Sequence, residues 1–226
     1  MAGALALDFL RLQGIDIISY VSAIGSESMD REGEWFPEKS VFSNILHCPD
    51  RKDSLRMQQE IDEAVAAKDS VGGKITTVIK GLPAGVGEPV FGKLNAVLGL
   101  AVLSIPGAKG VDFGEGFDGL SVKGSEYNDV PIAENTKISF ASNHSGGIQA
   151  GISNGNHIVM NTVFRPSSSI GIQQSTVDLE GNSTTILVSG RHDACYVPRA
   201  AIVVTAMTAV AIMDLWLQFK SSDRKY

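Results

Sequence analysis

Residues 190–200 (GRHDACYVPRA) combine two arginines, a histidine and an aspartate in one short segment between two apolar stretches. The guanidinium groups of Arg191 and Arg199 can each bind a phosphate or carboxylate through two parallel N–H donors. The carboxylate of Asp193 can accept a proton or orient a neighbouring base. Such a turn is typical of an anion-binding or catalytic site. A surface loop with a local ion pair has the same composition, and the segment alone does not separate the two interpretations.

The flanking segments place this turn between a strand and a helix. Residues 184–189 are rich in β-branched side chains and predict a strand, whereas residues 201–219 predict a helix. Pro198 suits the first turn of that helix, where its missing N–H costs nothing. We therefore expect the charged turn at a strand-to-helix junction.

A second turn that contains a cation, residues 165–170, follows a predicted strand over residues 157–164. Its first residues are Arg165, Pro166, Ser167, Ser168 and Ser169. A guanidinium beside hydroxyl and backbone donors suits a phosphate group, including the terminal phosphate of a cofactor. The alternative is an ordinary serine-rich turn.

Residues 143–155 (NHSGGIQAGISNG) form a glycine-rich segment, with four glycines among the last ten residues. Glycines at this density allow the backbone to approach a ligand closely and can aim successive N–H groups at an anion. A glycine-rich hairpin without a ligand is the alternative interpretation.

Composition limits the classes of function. The chain has 226 residues, 43% hydrophobic and 19% charged, which is typical of a globular protein, and its formal net charge is −6. This charge argues against general affinity for nucleic acid or for an anionic membrane, so an anion site must be local. Cys48 and Cys195 lie far apart and indicate neither a disulfide framework nor a zinc site, which favours a reducing compartment. The four histidines lack metal-ligand spacing, and no dinucleotide fingerprint, phosphate loop or nucleophile elbow is present.

Two apolar segments resemble targeting or membrane segments only superficially. The first ten residues lack a basic region and contain Asp8, which argues against a secretory signal. Residues 200–219 are long enough to span a bilayer, but Asp214 interrupts them. We interpret both segments as helices of a protein core.

The remaining pattern mixes helices and strands. Helices are predicted over residues 2–12, with Gly14 as the stop, over 51–67, with Asp50 as the N-cap, and over 90–103. Strands are predicted over 15–24, 74–79 and within 107–119, and loops over 27–43 and 124–147. This order predicts an α+β fold, and no low-complexity linker marks a domain boundary.

Several motifs resemble those of the chorismate synthase family. Residues 190–200 resemble its GRHDPC…PRA signature, residues 143–155 its NxxGGIxGGISNG loop, and residues 165–170 its KPTSSI element. Residues 81–94 (GLPAGVGEPVFGKL) and 104–117 (SIPGAKGVDFGEGF) also resemble family segments. The similarity covers essentially the whole chain, so the sequence is identified as a member of this family.

The resemblance implies helices sandwiched between antiparallel β-sheets and, for the full-length protein, a homotetramer. It implies a cytoplasmic enzyme that eliminates phosphate from 5-enolpyruvylshikimate 3-phosphate in a trans-1,4 sense to give chorismate, the last shared step of aromatic biosynthesis. The reaction requires reduced FMN although it is redox-neutral. NADP is associated with the family as well, but no residue here indicates which donor reduces the flavin. No nucleic-acid or membrane partner is expected.

The resemblance also assigns residues. Flavin contacts are implied at Pro106, Gly107, Ala150, Arg165, Pro166, Ser167, Ser168, Ser169 and Arg191. The predicted catalytic residues are Arg191, at the flavin and substrate, and Asp193, near flavin N5 in proton transfer. Three residues depart from the family pattern: Ala150 replaces a glycine, Ala194 a proline and Arg165 a lysine. The last change preserves the charge, whereas Ala150 is expected to crowd the flavin by one methyl group.

Other family motifs have no counterpart in residues 1–226. They are the SGESHG and RPGHAD segments, with two acid–base histidines, and the GGGRSSARET flavin loop. We interpret residues 1–226 as a single partial domain, the C-terminal portion of the enzyme, and expect no measurable elimination from it alone. The alternative is a non-catalytic flavin- or phosphate-binding subunit that needs a partner.

Two structural expectations follow. The apolar faces of residues 2–12 and 15–24 should be exposed where the longer family members cover them. Arg165, the three serines that follow Pro166, Arg191 and Asp193 should converge on one concave site, and residues 146–155 should line the same cavity.

Overall fold

The computed structural model describes residues 1–134 and 137–222. These residues form six α-helices: α1 (Ala2–Leu12), α2 (Glu38–Val41), α3 (Arg51–Ala66), α4 (Leu94–Leu103), α5 (Gly124–Tyr127) and α6 (Val197–Ser221). They also form eleven strands: β1 (Asp16–Ile24), β2 (Glu27–Ser28), β3 (Gly73–Lys80), β4 (Ala108–Phe113), β5 (Pro131–Glu134), β6 (Lys137–Phe140), β7 (Ile148–Gln149), β8 (Ile152–Ser153), β9 (Ile158–Phe164), β10 (Gln174–Val177) and β11 (Ser183–Ile186).

Five strands form the main sheet, in the order β2-β1-β3-β9-β4, and each neighbouring pair is antiparallel. The pairs β5–β6, β7–β8 and β10–β11 form separate hairpins. Helix α6 packs against α1 and α4 on its sides and against β1 and β3 of the sheet. This combination of helices and antiparallel sheets confirms the predicted α+β class.

Helix α6 is the core helix of this arrangement. Pro198 lies in its first turn, as predicted, and buried residues such as Val204 and Ile212 continue along its length. Helix α1 approaches it so closely that a Cβ added to Gly3 would lie 2.4 Å from the Cβ of Ala206. Among the described residues, α6 is the one helix long and apolar enough to cross a membrane by length and composition, and half of that window is buried inside the protein.

The expectation that residues 15–24 expose an apolar face is wrong. Strand β1 is buried because it lies between β2 and β3 and beneath α6. The segment that follows β2 also contacts it, since the Tyr20 hydroxyl donates to the carbonyl of Glu34 at 3.0 Å and accepts from the N–H of Gly33 at 3.0 Å. Helix α1 is only partly covered, with Leu5 and Leu12 exposed.

An exposed apolar surface lies instead between α4 and α6. Leu100, Val210 and Leu217 contribute to a groove of about 500 Å³ there. Hydrophobic side chains line most of this groove, so the helical layer has an apolar side that the described residues leave open to solvent.

Local signals explain where several elements begin and end. The side chain of Asp50 accepts the N–H groups of Lys52 and Asp53 and caps α3, as predicted. Helix α4 begins four residues later than predicted, because the N–H of Glu88 bonds to the carbonyl of Gly92 and closes a turn before it. The predicted loop over 124–147 is wrong in part, since it contains α5, β5 and β6.

Candidate active site

The two predicted anion-binding turns are in direct contact. The Oγ of Ser169 lies 2.9 Å from Nδ1 of His192, and Nε2 of His192 lies 3.0 Å from the carbonyl oxygen of Val188. A carbonyl can only accept, so Nε2 of His192 is the donor in the second of these hydrogen bonds. The serine turn and the charged turn therefore share a hydrogen bond although 23 residues separate its two partners.

Residues 70–72, directly before β3, hold both turns. The Oγ of Ser70 donates to the carbonyl of Ser167 at 2.6 Å, and the N–H of Val71 donates to the carbonyl of Ala194 at 2.8 Å. A Cβ added to Gly72 would lie 2.5 Å from the carbonyl oxygen of Phe164, so this position has no room for a side chain. The start of the central strand thus fixes the spacing of the two turns, which the β10–β11 hairpin connects along the chain.

A second set of contacts joins the serine turn to the turn before β4. The N–H of Arg165 donates to the carbonyl of Gly107 at 3.1 Å, and the Tyr196 hydroxyl donates to the carbonyl of Arg165 at 2.7 Å. Gly107 has φ +90°, and a Cβ there would lie 2.2 Å from the Tyr196 hydroxyl oxygen. Gly107 and the exposed Pro106 therefore lie beside Arg165, at the same end of the sheet.

The charged side chains of this region are only partly paired. Asp193 forms an ion pair with Arg199, not with Arg191. Arg191 is exposed and forms no hydrogen bond or ion pair with any other residue that the structure describes. Arg165 is also exposed, and its guanidinium donates to the carbonyl of Pro166 at 2.8 Å. The Asp193–Arg199 ion pair is the one that the surface-loop interpretation expects. Arg165 and Arg191, in contrast, have no carboxylate partner among the described residues.

A cavity of about 390 Å³ lies behind the charged turn. Gly190, His192 and Ala194 line one side of it, and Lys68, after the end of α3, lines the other. Arg165, Arg191 and Asp193 are not among the residues that line it. The cavity therefore adjoins the charged turn but is not lined by the two predicted catalytic residues.

The expectation that residues 146–155 line the same cavity is wrong. This segment lies where β9 begins, since a Cβ on Gly147 would meet the carbonyl of His157 at 2.5 Å. Arg165 follows the end of β9, seven residues further along. At about 3.3 Å per residue, the two sites are separated by about 20 Å along the sheet. The glycines are small here because they pack against neighbouring backbone.

Ala150 lies at the rim of a different cavity, of about 430 Å³, together with Lys93, Asn95, Tyr127 and Ser145. Its φ is +53°, in the left-handed region that glycine adopts most easily. This explains physically why the family pattern has glycine at this position. The expected crowding of the flavin and the roles of Ala150 and of the other assigned residues stay predictions.

Several residues of the site were not predicted from the sequence. Ser70, Gly72 and Tyr196 act through backbone carbonyls, and contacts to a carbonyl leave no pattern in the spacing of side chains. The hydrogen bond of His192 to the serine turn was not predicted either. Burial raises the pKa of the neighbouring Cys195 thiol, which keeps this free cysteine protonated.

Comparisons with known proteins agree with the resemblance of the motifs. A sequence model described as chorismate synthase matches residues 1–217. The chorismate synthase of Bacteroides thetaiotaomicron is 45% identical over 223 residues, which are 99% of this chain and 62% of that protein. The Porphyromonas gingivalis enzyme is 45% identical over 224 residues, 98% of this chain and 61% of that protein.

A solved structure shows the same fold. A crystal structure of chorismate synthase superposes with a TM-score of 0.77 at 26% identity, covering 96% of this chain and 61% of that one. The chain thus spans about three fifths of the length of the relatives that it matches. The match over nearly all of these residues, with the motif turns in contact, shows that the chain belongs to the chorismate synthase family.

Proposed function

We propose that residues 1–226 are the C-terminal portion of a chorismate synthase, one partial domain of an enzyme that is a homotetramer when full-length. The enzyme is a carbon–oxygen lyase of aromatic biosynthesis, located in the cytoplasm. It eliminates phosphate from 5-enolpyruvylshikimate 3-phosphate to give chorismate. When bound, reduced FMN supplies the electron density that helps the allylic phosphate to leave. NADP would belong to the supply of reduced flavin.

The observation that carries this proposal is the hydrogen bond between Ser169 and His192, which unites two family motifs at one end of the sheet. Arg165 and Arg191 are exposed there without a carboxylate partner among the described residues. Ser168 and Ser169 are exposed residues of the same turn, and the Ser169 hydroxyl bonds to His192. Two exposed cations without a carboxylate partner, next to a serine turn, fit an anionic ligand, such as the phosphate of FMN or the anionic groups of the substrate.

Each residue then has a role that follows from its chemistry. Arg191 presents a planar set of donors and binds ligand or cofactor. Arg165 and the serines bind a phosphate. Asp193, held by Arg199, supplies a carboxylate for proton transfer at the reacting face. Pro106 and Gly107 border the Arg165 turn, whereas Ala150 would reach the flavin only from the other end of the sheet.

Phosphate release under anaerobic conditions tests the proposal. The chain is mixed with substrate, reduced FMN and the N-terminal part of the Bacteroides thetaiotaomicron relative. We expect release from the mixture and none from the chain alone, because loss of a general acid or base costs about 10²- to 10⁴-fold in rate. Arg191→Ala should lower release from the mixture. Arg51→Ala, which removes another exposed cation, at the start of α3, should not.

Three results would contradict the proposal in different ways. Release by the chain alone at the rate of the mixture would mean that the acid–base groups lie within residues 1–226. Flavin binding without release in the mixture would favour the alternative of a non-catalytic binding subunit. If the mixture shows neither flavin binding nor phosphate release, the proposed flavin site itself is refuted.

A further inference from the structure

A buried carboxylate organises the start of the glycine-rich segment. Asp129 lies between α5 and β5, is 7% exposed and accepts four hydrogen bonds from residues 13 to 16 positions later. One oxygen accepts the Ser142 hydroxyl and the His144 N–H, both at 2.7 Å. The other accepts the N–H of Ser145 at 3.0 Å and its hydroxyl. Every lone-pair direction of this carboxylate is therefore used to hold residues 142–145.

The charge of Asp129 is stabilised by these donors and not by a cation. It forms no ion pair within the described residues. Burial by itself would raise the pKa of Asp129, but the hydrogen bonds from Ser145, Ser142 and His144 outweigh burial and lower that pKa. The carboxylate is therefore ionised at neutral pH, and all four hydrogen bonds are charge-assisted.

Close contacts at both ends fix the position of the glycine-rich segment that Asp129 holds. Gly146 follows directly, and a Cβ on it would lie 2.3 Å from the backbone nitrogen of Gly114. At the far end of the segment, the carbonyl of Gly151 accepts the N–H of Leu94, the first residue of α4, at 2.8 Å. The segment is thus fixed at both ends, and Ala150 lies near the second anchor.

Between these anchors the segment forms one wall of the 430 Å³ cavity. Ser145, Ile148 and Ala150 line the cavity from this segment, and Lys93 and Asn95 also line it. The side chain of Lys93 lies on Gly151, since a Cβ there would be 2.4 Å from Lys93 Cγ. A shift of the segment would therefore change both the shape of the cavity and the position of its cation.

We propose that Asp129 is a positioning residue, whose carboxylate sets residues 142–150 as a wall of a ligand cavity. For flavin as the ligand, this rests on the function proposed above. Asparagine cannot replace the carboxylate, because its amide nitrogen would face the donors of Ser142 and His144 or those of Ser145. At least one hydrogen bond to a charged group would be lost and one donor left without an acceptor.

The test compares Asp129→Asn with Asp178→Asn. Asp178 is a matched control, because its carboxylate also accepts backbone N–H groups, from Glu180 at 3.0 Å and Asn182 at 2.8 Å, but in the β10–β11 hairpin. Amide hydrogen exchange in the whole chain is measured first. In Asp129→Asn we expect exchange at His144 and Ser145 to be faster by about tenfold or more, the equivalent of one such hydrogen bond. Exchange at Ile75 in the central strand should not change, and Asp178→Asn should leave all three amides as they are.

Binding of reduced FMN to the same chains is the second measurement. We expect the dissociation constant to rise about tenfold or more in Asp129→Asn and to stay unchanged in Asp178→Asn. Unchanged exchange at His144 and Ser145 would overturn the positioning role. Faster exchange with unchanged FMN affinity would overturn the link to the cavity. If the unaltered chain binds no FMN, the proposed flavin site fails, and the exchange result still decides the role of Asp129.

Discussion

Replacing Gly107 by alanine should destabilise the protein at the junction of the serine turn with the turn before β4. The substitution introduces two separate costs. The backbone at φ +90° is strained for any residue with a Cβ, at about 1 to 3 kcal/mol. The new methyl group would also lie 2.2 Å from the Tyr196 hydroxyl oxygen and 2.9 Å from ring atom Cζ, so the ring must move.

The second cost can be estimated from what holds that ring. Tyr196 donates to the carbonyl of Arg165 at 2.7 Å and packs edge-on against Phe164 with centroids 6.2 Å apart. Overpacking of this kind costs about 1 to 3 kcal/mol. With partial relaxation, we expect Gly107→Ala to lower the free energy of unfolding by about 2 to 4 kcal/mol.

Urea unfolding followed by circular dichroism measures this loss. Gly124→Ala is the matched control, because no atom lies within 4 Å of its added Cβ and its φ is not in the left-handed region. Tyr196→Phe should cost about 1 kcal/mol through its lost hydrogen bond. The double variant Gly107→Ala/Tyr196→Phe should lose less than the sum, since the hydroxyl nearest to the new methyl is gone. Additive losses, or equal losses in the Gly107 and Gly124 variants, would refute the described contact.

Three further predictions concern other parts of the molecule. Gly3→Ala should lower the free energy of unfolding, measured with urea, by about 1 to 3 kcal/mol, because the added methyl group pushes α1 away from α6. The double variant Gly3→Ala/Ala206→Gly should recover part of this lost stability, because the Cβ of Ala206 is gone. Arg191→Ala should weaken binding of reduced FMN or substrate by about 1.5 to 3 kcal/mol in titration calorimetry, and unchanged affinity would contradict its role. The pKa of Asp129 is lower in the folded than in the unfolded state, so its contribution to stability is present above about pH 4 and is lost as the pH falls through the folded value. Asp129→Asn should flatten this acid dependence of the melting temperature.

Elements with strong local signals were predictable from the sequence. Helix α1 has the predicted bounds, because Gly14, two residues after its last residue, has φ +76° and stops the helix. The cap of Asp50 on α3 and the place of Pro198 in α6 also follow from single residues and their immediate neighbours. Burial of β1 was not predictable in this way, since it depends on α6, which lies some 180 residues later in the chain.

The site was predictable in its residues but not in its arrangement. The two motif turns could be found because their side chains are unusual. The segment that holds them together, residues 70–72, acts through the Ser70 hydroxyl, the Val71 N–H and the absence of a side chain at Gly72, which the sequence does not reveal. Asp193 has two arginines within six positions, and only the geometry at the start of α6 selects Arg199 as its partner. The glycine-rich segment was placed in the wrong cavity because its composition suits close packing against backbone as well as against a ligand.

The connection between the two turns has a practical consequence. Both turns are bonded separately to residues 70–72, so the β10–β11 hairpin that joins them does not determine their spacing. At its tip, Gly181 has φ +86° and no atom within 4 Å of an added Cβ. The entropic cost of lengthening such a connection grows only logarithmically with its length. A fluorescent reporter or an affinity tag can therefore be inserted at this tip without displacing the two turns. The inserted group would lie one hairpin length from the site.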